Sequence, residues 1–340
     1  MASIEAIRSS DADLVLLPEL GLTGYTCGDL FASDAMLSAA VDALQSVAQQ
    51  SASLGSIVVV GLPLQVCDSL MNVAAVIAGG QVRGIVPKTF LPTYREFYEG
   101  RHFRAASRAD PATVTLWGSE VPFGTDLLFR WGEAVIAVEI CEDLWTPIPP
   151  SSRAALAGAN VLLNLSASNE TIGKAQWRRD LIGSQSGRCI AAYAYSSAGS
   201  GESTSDLVFG GHCLIAENGS ILDESRRIGD AREPAQISES SVTSDIDLQR
   251  LAHDRRVIGS FDDAIDLQPD GVSGYRVIDA AVRPEPIRPL RTSLRRRVDG
   301  HPFVPDESGE LDARCAEIFA LQTAGLCKRL SRLAGGSTLA

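Results

Sequence analysis

Short apolar runs separated by glycine-containing turns fill the first 250 positions of the chain. Residues 13–18 (Asp-Leu-Val-Leu-Leu-Pro) are too few for a helix and read as a strand buried on both faces. A helix is predicted over 34–54, where Met36, Leu37, Ala40, Val41, Leu44, Val47 and Ala48 recur at helical spacing, with Asp34 as cap and Gly55 as stop. Residues 57–62 give a second strand. Residues 70–78 and 81–87 flank Gly79-Gly80, and 125–131 and 134–140 flank Gly132-Glu133; both patterns predict hairpins. Pro149 and Pro150 open a short helix through Ala157, followed by a strand at 160–165, a helix at 173–187 and a strand at 189–195. Asn218-Gly219 marks a hairpin between 206–216 and 220–223, and 242–248 reads as a last strand.

Strands mixed with helices and hairpins predict an α/β fold, a mixed sheet with helices outside. The pattern changes near residue 255. The stretch 256–310 is rich in Arg, Asp and Pro and reads as a connector, and 312–332 reads as one amphipathic helix carrying Cys315, Ile318, Phe319, Gln322, Leu326 and Leu330. No internal repeat is visible.

Composition narrows the function. A formal net charge of -12 opposes non-specific binding to nucleic acid. No apolar run is long enough to cross a bilayer, and no signal sequence opens the chain. The seven cysteines are scattered without a Cys-x-x-Cys, and His102, His212, His253 and His301 make no metal spacing. The expectation is a cytoplasmic protein with no metal site and no nucleic-acid or membrane partner.

Three polar residues each follow an apolar strand. Cys141 ends the run Ala-Val-Ile-Ala-Val-Glu-Ile, where α/β proteins place their reactive groups. A thiol needs a nearby base and a cation to attack at neutral pH. Glu19, after Leu-Val-Leu-Leu-Pro, is a partly desolvated carboxylate and hence a better base. Lys88, after Val-Arg-Gly-Ile-Val-Pro, could stabilise an oxyanion and lower the thiol pKa. Singly, these residues read as a buried structural thiol, a water-facing carboxylate and a solvated lysine. Jointly, neighbouring parallel strands would bring the three ends together at one edge of the sheet.

The motifs Leu-Leu-Pro-Glu19-Leu-Gly-Leu-Thr-Gly-Tyr25, Pro-Lys88-Thr-Phe-Leu-Pro-Thr-Tyr94-Arg-Glu-Phe97-Tyr-Glu99 and Val-Glu-Ile-Cys141-Glu142-Asp143-Leu-Trp145 resemble the nitrilase, or carbon–nitrogen hydrolase, superfamily, whose catalytic set is Glu-Lys-Cys. Within it the chain is similar to the glutaminase domain of the glutamine-dependent NAD synthetase family. The stretches 96–103, 141–147, Asn-Leu-Ser-Ala-Ser168 and 198–211 carry that likeness, as does the helix opening at Arg314. The resemblance implies a nitrilase-like four-layer α-β-β-α sandwich, with the first strand of the family apparently missing before Ile4. It divides the chain into a glutamine amidohydrolase domain (1–255), a connector (256–310) and the start of a synthetase domain (311–340).

It further implies Glu19 as general base, Lys88 as oxyanion stabiliser, Cys141 as nucleophile and Glu99 as a supporting carboxylate. Tyr25, Tyr94, Phe97, Glu142, Trp145, Ser168 and Lys174 would line the glutamine pocket, Lys174 standing where the family commonly has an arginine. No cofactor is implied for the glutaminase step. ATP and Mg would belong to a synthetase half whose Ser-Gly-Gly-x-Asp-Ser loop finds only a faint echo at Ala334-Gly-Gly-Ser-Thr338. A homo-oligomer is expected, with a separate synthetase chain as a possible partner. The alternatives are a stand-alone amidase acting on another small amide, and an inactive fragment.

Overall fold

The computed structural model describes residues 7, 11–203, 207–227, 241–268, 272–280, 293–298, 300, 301, 304 and 308–332. Two β-sheets carry the architecture. The first has the order β1-β2-β3-β4: β1 (Leu14–Leu16), β2 (Ile57–Val66), β3 (Ser69–Ala78) and β4 (Gln81–Pro87). β1 runs parallel to β2, and the other pairs are antiparallel hairpins. The second sheet has the order β12-β11-β10-β9-β8-β7-β13. At its centre β8 (Ala134–Ile140), β9 (Val161–Ser166) and β10 (Ala192–Ser197) are parallel. β7 (Leu127–Trp131), β11 (Cys213–Glu217) and β12 (Ser220–Glu224) join as hairpin arms, and β13 (Arg276–Asp279) lies parallel to β7.

Side-chain alternation assembles the layers. Ile57 and Val59 of β2, with Ala74, Val76 and Val86, pack against Phe129, Ile136, Val138, Ile140, Leu163 and Leu165 of the second sheet. The intervening residues Val58, Val60 and Leu62 face the other way, onto Leu44, Val47 and Ala48 of helix α1 (Asp34–Ser51). On the far face of the second sheet, Ala137, Leu162, Tyr193 and Tyr195 meet Ala154 and Ala155 of α2 (Pro150–Leu156) and Ile182 of α3 (Lys174–Cys189). The result is helix, sheet, sheet, helix, as the resemblance implied. Each fully buried Leu, Ile or Phe in these layers stabilises the fold by about 1.5–3 kcal/mol.

Several expectations are corrected. Residues 242–247 form no strand: Asp247 instead caps helix α4 (Leu248–Val257), its side chain accepting the Arg250 N–H at 2.9 Å. Within 256–310 lie the end of α4, helix α5 (Gly259–Asp266) and β13, and the compact unit that holds them runs to Arg296. A hairpin of β5 (Thr113–Leu116) and β6 (Ser119–Pro122) was not foreseen. Its turn is Trp117-Gly118, both at positive φ (49° and 80°), and a tryptophan is a poor signal for that conformation. Helix α1 starts with Ser33, not Asp34, in the cap position, and ends at Ser51, ahead of Gly55. Residues 207–212 add nothing to β11.

A second unit, 297–340, contains helix α6 (Ser308–Leu330), which begins four residues before and ends two before the helix expected at 312–332. The segments Ile4–Ala6 and Ala334–Thr338 lie outside the described residues. Among the described residues no helix is long and apolar enough to cross a membrane.

Candidate active site

Glu19, Lys88 and Cys141 come together, but not along one sheet edge. Glu19 and Lys88 follow β1 and β4 of the first sheet, and Cys141 follows β8 of the second. The site therefore sits where the ends of two stacked sheets meet.

After β1 the chain continues along β2, Leu17 N–H donating to Val59 O (2.9 Å) and Leu22 N–H to Gly61 O (3.1 Å). Gly61 permits this approach: a β-carbon there would lie 2.4 Å from Leu20 N and 3.0 Å from the Glu19 backbone. Glu19 is fully buried. Its Oε1 accepts from Lys88 Nζ (2.6 Å) and from Asn72 Nδ2 of β3 (2.7 Å), while its Oε2 has no partner. A buried carboxylate oxygen without a donor is uncommon.

Lys88 Nζ also binds both oxygens of Glu99, at 2.6 and 2.8 Å, and the Tyr25 hydroxyl donates to Glu99 Oε1 at 2.8 Å. Burial disfavours the ammonium, but the Glu19 and Glu99 carboxylates overcome this and hold Lys88 protonated, well above its ordinary range. Burial pushes the Glu99 carboxyl up to about 7, against the pull of Lys88. Burial and the two carboxylates raise the Tyr25 phenol as well.

Cys141 is 5% exposed and adopts φ 46°, a left-handed conformation costly for a residue with a side chain. There the strand ends and the turn Cys141–Trp145 begins. The Cys141 N–H donates to Asn164 Oδ1 (3.2 Å) on the neighbouring β9. Burial first, then the Glu19 carboxylate, pushes the thiol up to about 12. Lys88 draws it down, as expected, but burial and the Glu19 carboxylate outweigh it. The resting sulfur keeps its proton, and attack requires a base to remove it.

The expected pocket residues divide by charge. The Tyr94 hydroxyl donates to both oxygens of Glu142, at 2.9 and 3.0 Å. Lys174 Nζ donates to Asn169 Oδ1 and sits 5.7 Å from the Phe97 ring and 5.4 Å from the Trp145 ring. Burial lowers its pKa. Ser168 Oγ accepts from Arg178 Nη2 at 3.1 Å. Arg178, wholly buried, also donates to Asn169 O (3.3 Å) and Glu170 Oε1 (2.9 Å), which fixes the Ser168–Glu170 segment. Asn72, Asn169 and Arg178 escaped the sequence reading, and Asn164 entered it only as the first residue of a quoted stretch, because each acts through contacts between strands or with a helix.

Two cavities lie apart from the trio: one of about 10 Å³ beside Glu139 and Tyr275, and a groove of about 360 Å³ lined by Asp29, Asp68 and Arg101 among others.

A buried thiol, a carboxylate with one unpartnered oxygen and a clamped ammonium thus meet at the ends of two stacked sheets. The sequence profile of the carbon-nitrogen hydrolase family matches residues 1–256, and the chain belongs to that family. It is 43% identical over 331 residues to the glutamine-dependent NAD(+) synthetase of Mycobacterium tuberculosis (strain ATCC 25618 / H37Rv), covering 96% of this chain and 47% of that one. The chain spans about half the length of the curated relatives it matches. A crystal structure of a glutamine-dependent NAD(+) synthetase from Cytophaga hutchinsonii superposes with a TM-score of 0.60 at 30% identity, over 67% of this chain and 37% of that one. A carbon-nitrogen hydrolase from Helicobacter pylori G27 shares the fold, with a TM-score of 0.57 at 17% identity over 81% of this chain and 92% of that one.

Proposed function

We propose that this chain hydrolyses the side-chain amide of glutamine through a Cys141 thioester, releasing ammonia for the amidation of deamido-NAD by a synthetase half or partner chain. The observation that carries the reading is Glu19: Oε1 is saturated by Lys88 and Asn72, and Oε2 is buried, unpartnered and within the electrostatic reach of the thiol. Glu19 Oε2 takes the thiol proton as Sγ bonds to the amide carbon, and the carbonyl electron pair moves to oxygen. Neutralising Glu19 weakens its hold on Lys88, which frees an N–H of the ammonium for the new oxyanion. Collapse of the intermediate expels ammonia with the proton from Glu19. Water then adds to the thioester with Glu19 as base, glutamate leaves and the thiol is restored.

Glutamine over other amides is supported by the paired charges. The Glu142 carboxylate suits an α-ammonium, and the Lys174 ammonium suits an α-carboxylate, as a point charge rather than a fork. Relatives with the words glutamine-dependent in their names lend further support.

The test is ammonia release from glutamine by the purified protein, with Cys141→Ala as control. A diazo-ketone analogue of glutamine should alkylate Cys141, and the variant should neither turn over nor label. Turnover surviving in Cys141→Ala, or a clear preference for another small amide, would overturn the reading.

A further inference from the structure

We propose that Asp143 is a positioning residue that fixes Lys88 and Cys141 relative to each other by holding one sheet end with each carboxylate oxygen. This rests on the reading of Lys88 and Cys141 given above. Asp143 is 1% exposed. Its Oδ1 accepts the N–H of Phe90 at 2.8 Å and of Thr89 at 3.1 Å, the two residues that follow Lys88. Its Oδ2 accepts the N–H of Ile140 at 2.9 Å, the residue before Cys141, with Thr89 N–H a longer second donor at 3.4 Å.

The bond to Ile140 is a local cap of the turn after β8. The bonds to Thr89 and Phe90 reach across 54 and 53 residues to the other sheet. They exceed what capping requires. Among the described residues no backbone ladder joins the two sheets, which are paired separately and meet through side-chain packing and, beside the site, the Glu19 N–H bond to Ser166 O at 3.3 Å. Apolar contacts tolerate small slips, whereas hydrogen bonds lose strength within a few tenths of an ångström. The separation of the ammonium from the sulfur decides whether an oxyanion formed at Cys141 is met by Lys88. Burial pushes the Asp143 carboxyl up to about 8, while the backbone N–H donors of Ile140 and Phe90 pull it down. Every backbone partner here is a donor, so it is the ionised form, with acceptors on both sides, that makes the whole bridge.

An amide in the same place cannot bridge. Asparagine has the same shape but one acceptor, so its NH2 group would face N–H donors either at Ile140 or at Thr89 and Phe90. Asp143→Asn is therefore expected to fold while loosening one of the two sheet ends. Its kcat for glutamine should fall about 10- to 100-fold, the range for losing hydrogen bonds to a charged group. KM should hold, because Glu142 and Lys174 are untouched. The rate of Cys141 alkylation by iodoacetamide should fall with kcat.

A purely structural role would lower the melting temperature but leave kcat and alkylation of the folded variant at their original values, and that result overturns the proposal. The iodoacetamide arm does not depend on which amide is the substrate, so a wild-type protein without glutaminase activity sinks the functional reading and not this one. Should Asp143→Asn not fold, hydrogen exchange on the unaltered protein decides. The Thr89 and Phe90 amides should exchange as slowly as those of β4, and exchange at the rate of an open loop refutes the bridge.

Discussion

Glu19 is held through one oxygen and unpartnered at the other, and the proposed chemistry turns on that asymmetry at the scale of single residues. Two donors fix Oε1, so the carboxylate cannot rotate away, and Oε2 remains free to move a proton. Glu19→Gln keeps the shape and removes the base; kcat should drop by about 10²–10⁴-fold, measured as ammonia release at saturating glutamine. Glu99 acts one step back. Its partners, Lys88 and Tyr25, are all donors, so only the ionised form serves all three bonds. With the Glu99 carboxyl pushed up to about 7, acid converts it to the neutral form within the working range. The sign is that activity falls as pH drops through about 7, since protonation removes an acceptor from the Lys88 ammonium. Glu99→Gln should be slower at every pH and should no longer show its acid limb near 7, as read from a pH profile of kcat/KM. An unchanged limb in that variant would separate Glu99 from catalysis.

Among the elements, the strand ends place the reactive groups, and glycines decide how closely the chain can follow them. At Gly61 a β-carbon would strike backbone, Leu20 N at 2.4 Å, whereas at Gly84 it would meet the Phe129 ring at 2.7 Å. A ring can turn aside, but the backbone of the base cannot move without taking Glu19 with it. Both Gly61→Ala and Gly84→Ala should be destabilised by about 1–3 kcal/mol in denaturant titrations, the usual penalty for overpacking. Only Gly61→Ala should also lose most of its kcat. The same contrast explains what could be read from the chain. Apolar runs that stop at Glu19, Lys88 and Cys141 are visible along one dimension, as are the hairpins marked by Gly79-Gly80, Gly132-Glu133 and Asn218-Gly219. The bridge made by Asp143 and the brace of Cys141 by Asn164 depend on which strand lies beside which, and no local pattern records that. The trio was expected on one sheet because each residue ends a strand, but β4 is a hairpin arm of one sheet and β8 a central strand of the other. β13 was missed because its four residues alternate between half-buried and exposed in a segment dominated by Arg and Pro.

For the whole molecule, the position of β13 determines how much chain the active-site sandwich needs. β13 closes one side of the seven-stranded sheet by pairing with β7, and Ile278 and Ala280 pack into the apolar layer between the sheets. Arg276 ties this strand to the hairpin region, donating to Phe123 O (2.6 Å), Ala112 O (2.7 Å) and both oxygens of Asp126. Arg255 in α4 donates to the carbonyls of Ala159, Cys189 and Ile190, in the two turns that lead into β9 and β10, and its guanidinium lies 4.7 Å from the Phe261 ring of α5. A chain ended at Arg255 would cut α4, discard α5 and β13, open the β7 edge to non-native pairing and uncover part of the inner layer. A chain ended at Arg296 would keep all of these contacts. The longer form should remain monodisperse by size exclusion and keep its Cys141 alkylation rate. The shorter form should aggregate or melt about 10 °C or more lower, the shift expected when several kcal/mol of packing is lost from a domain of this size. Equal stability of the two forms would mean that β13 decorates the sandwich instead of completing it, and the boundary would return to the end of the family match near residue 256.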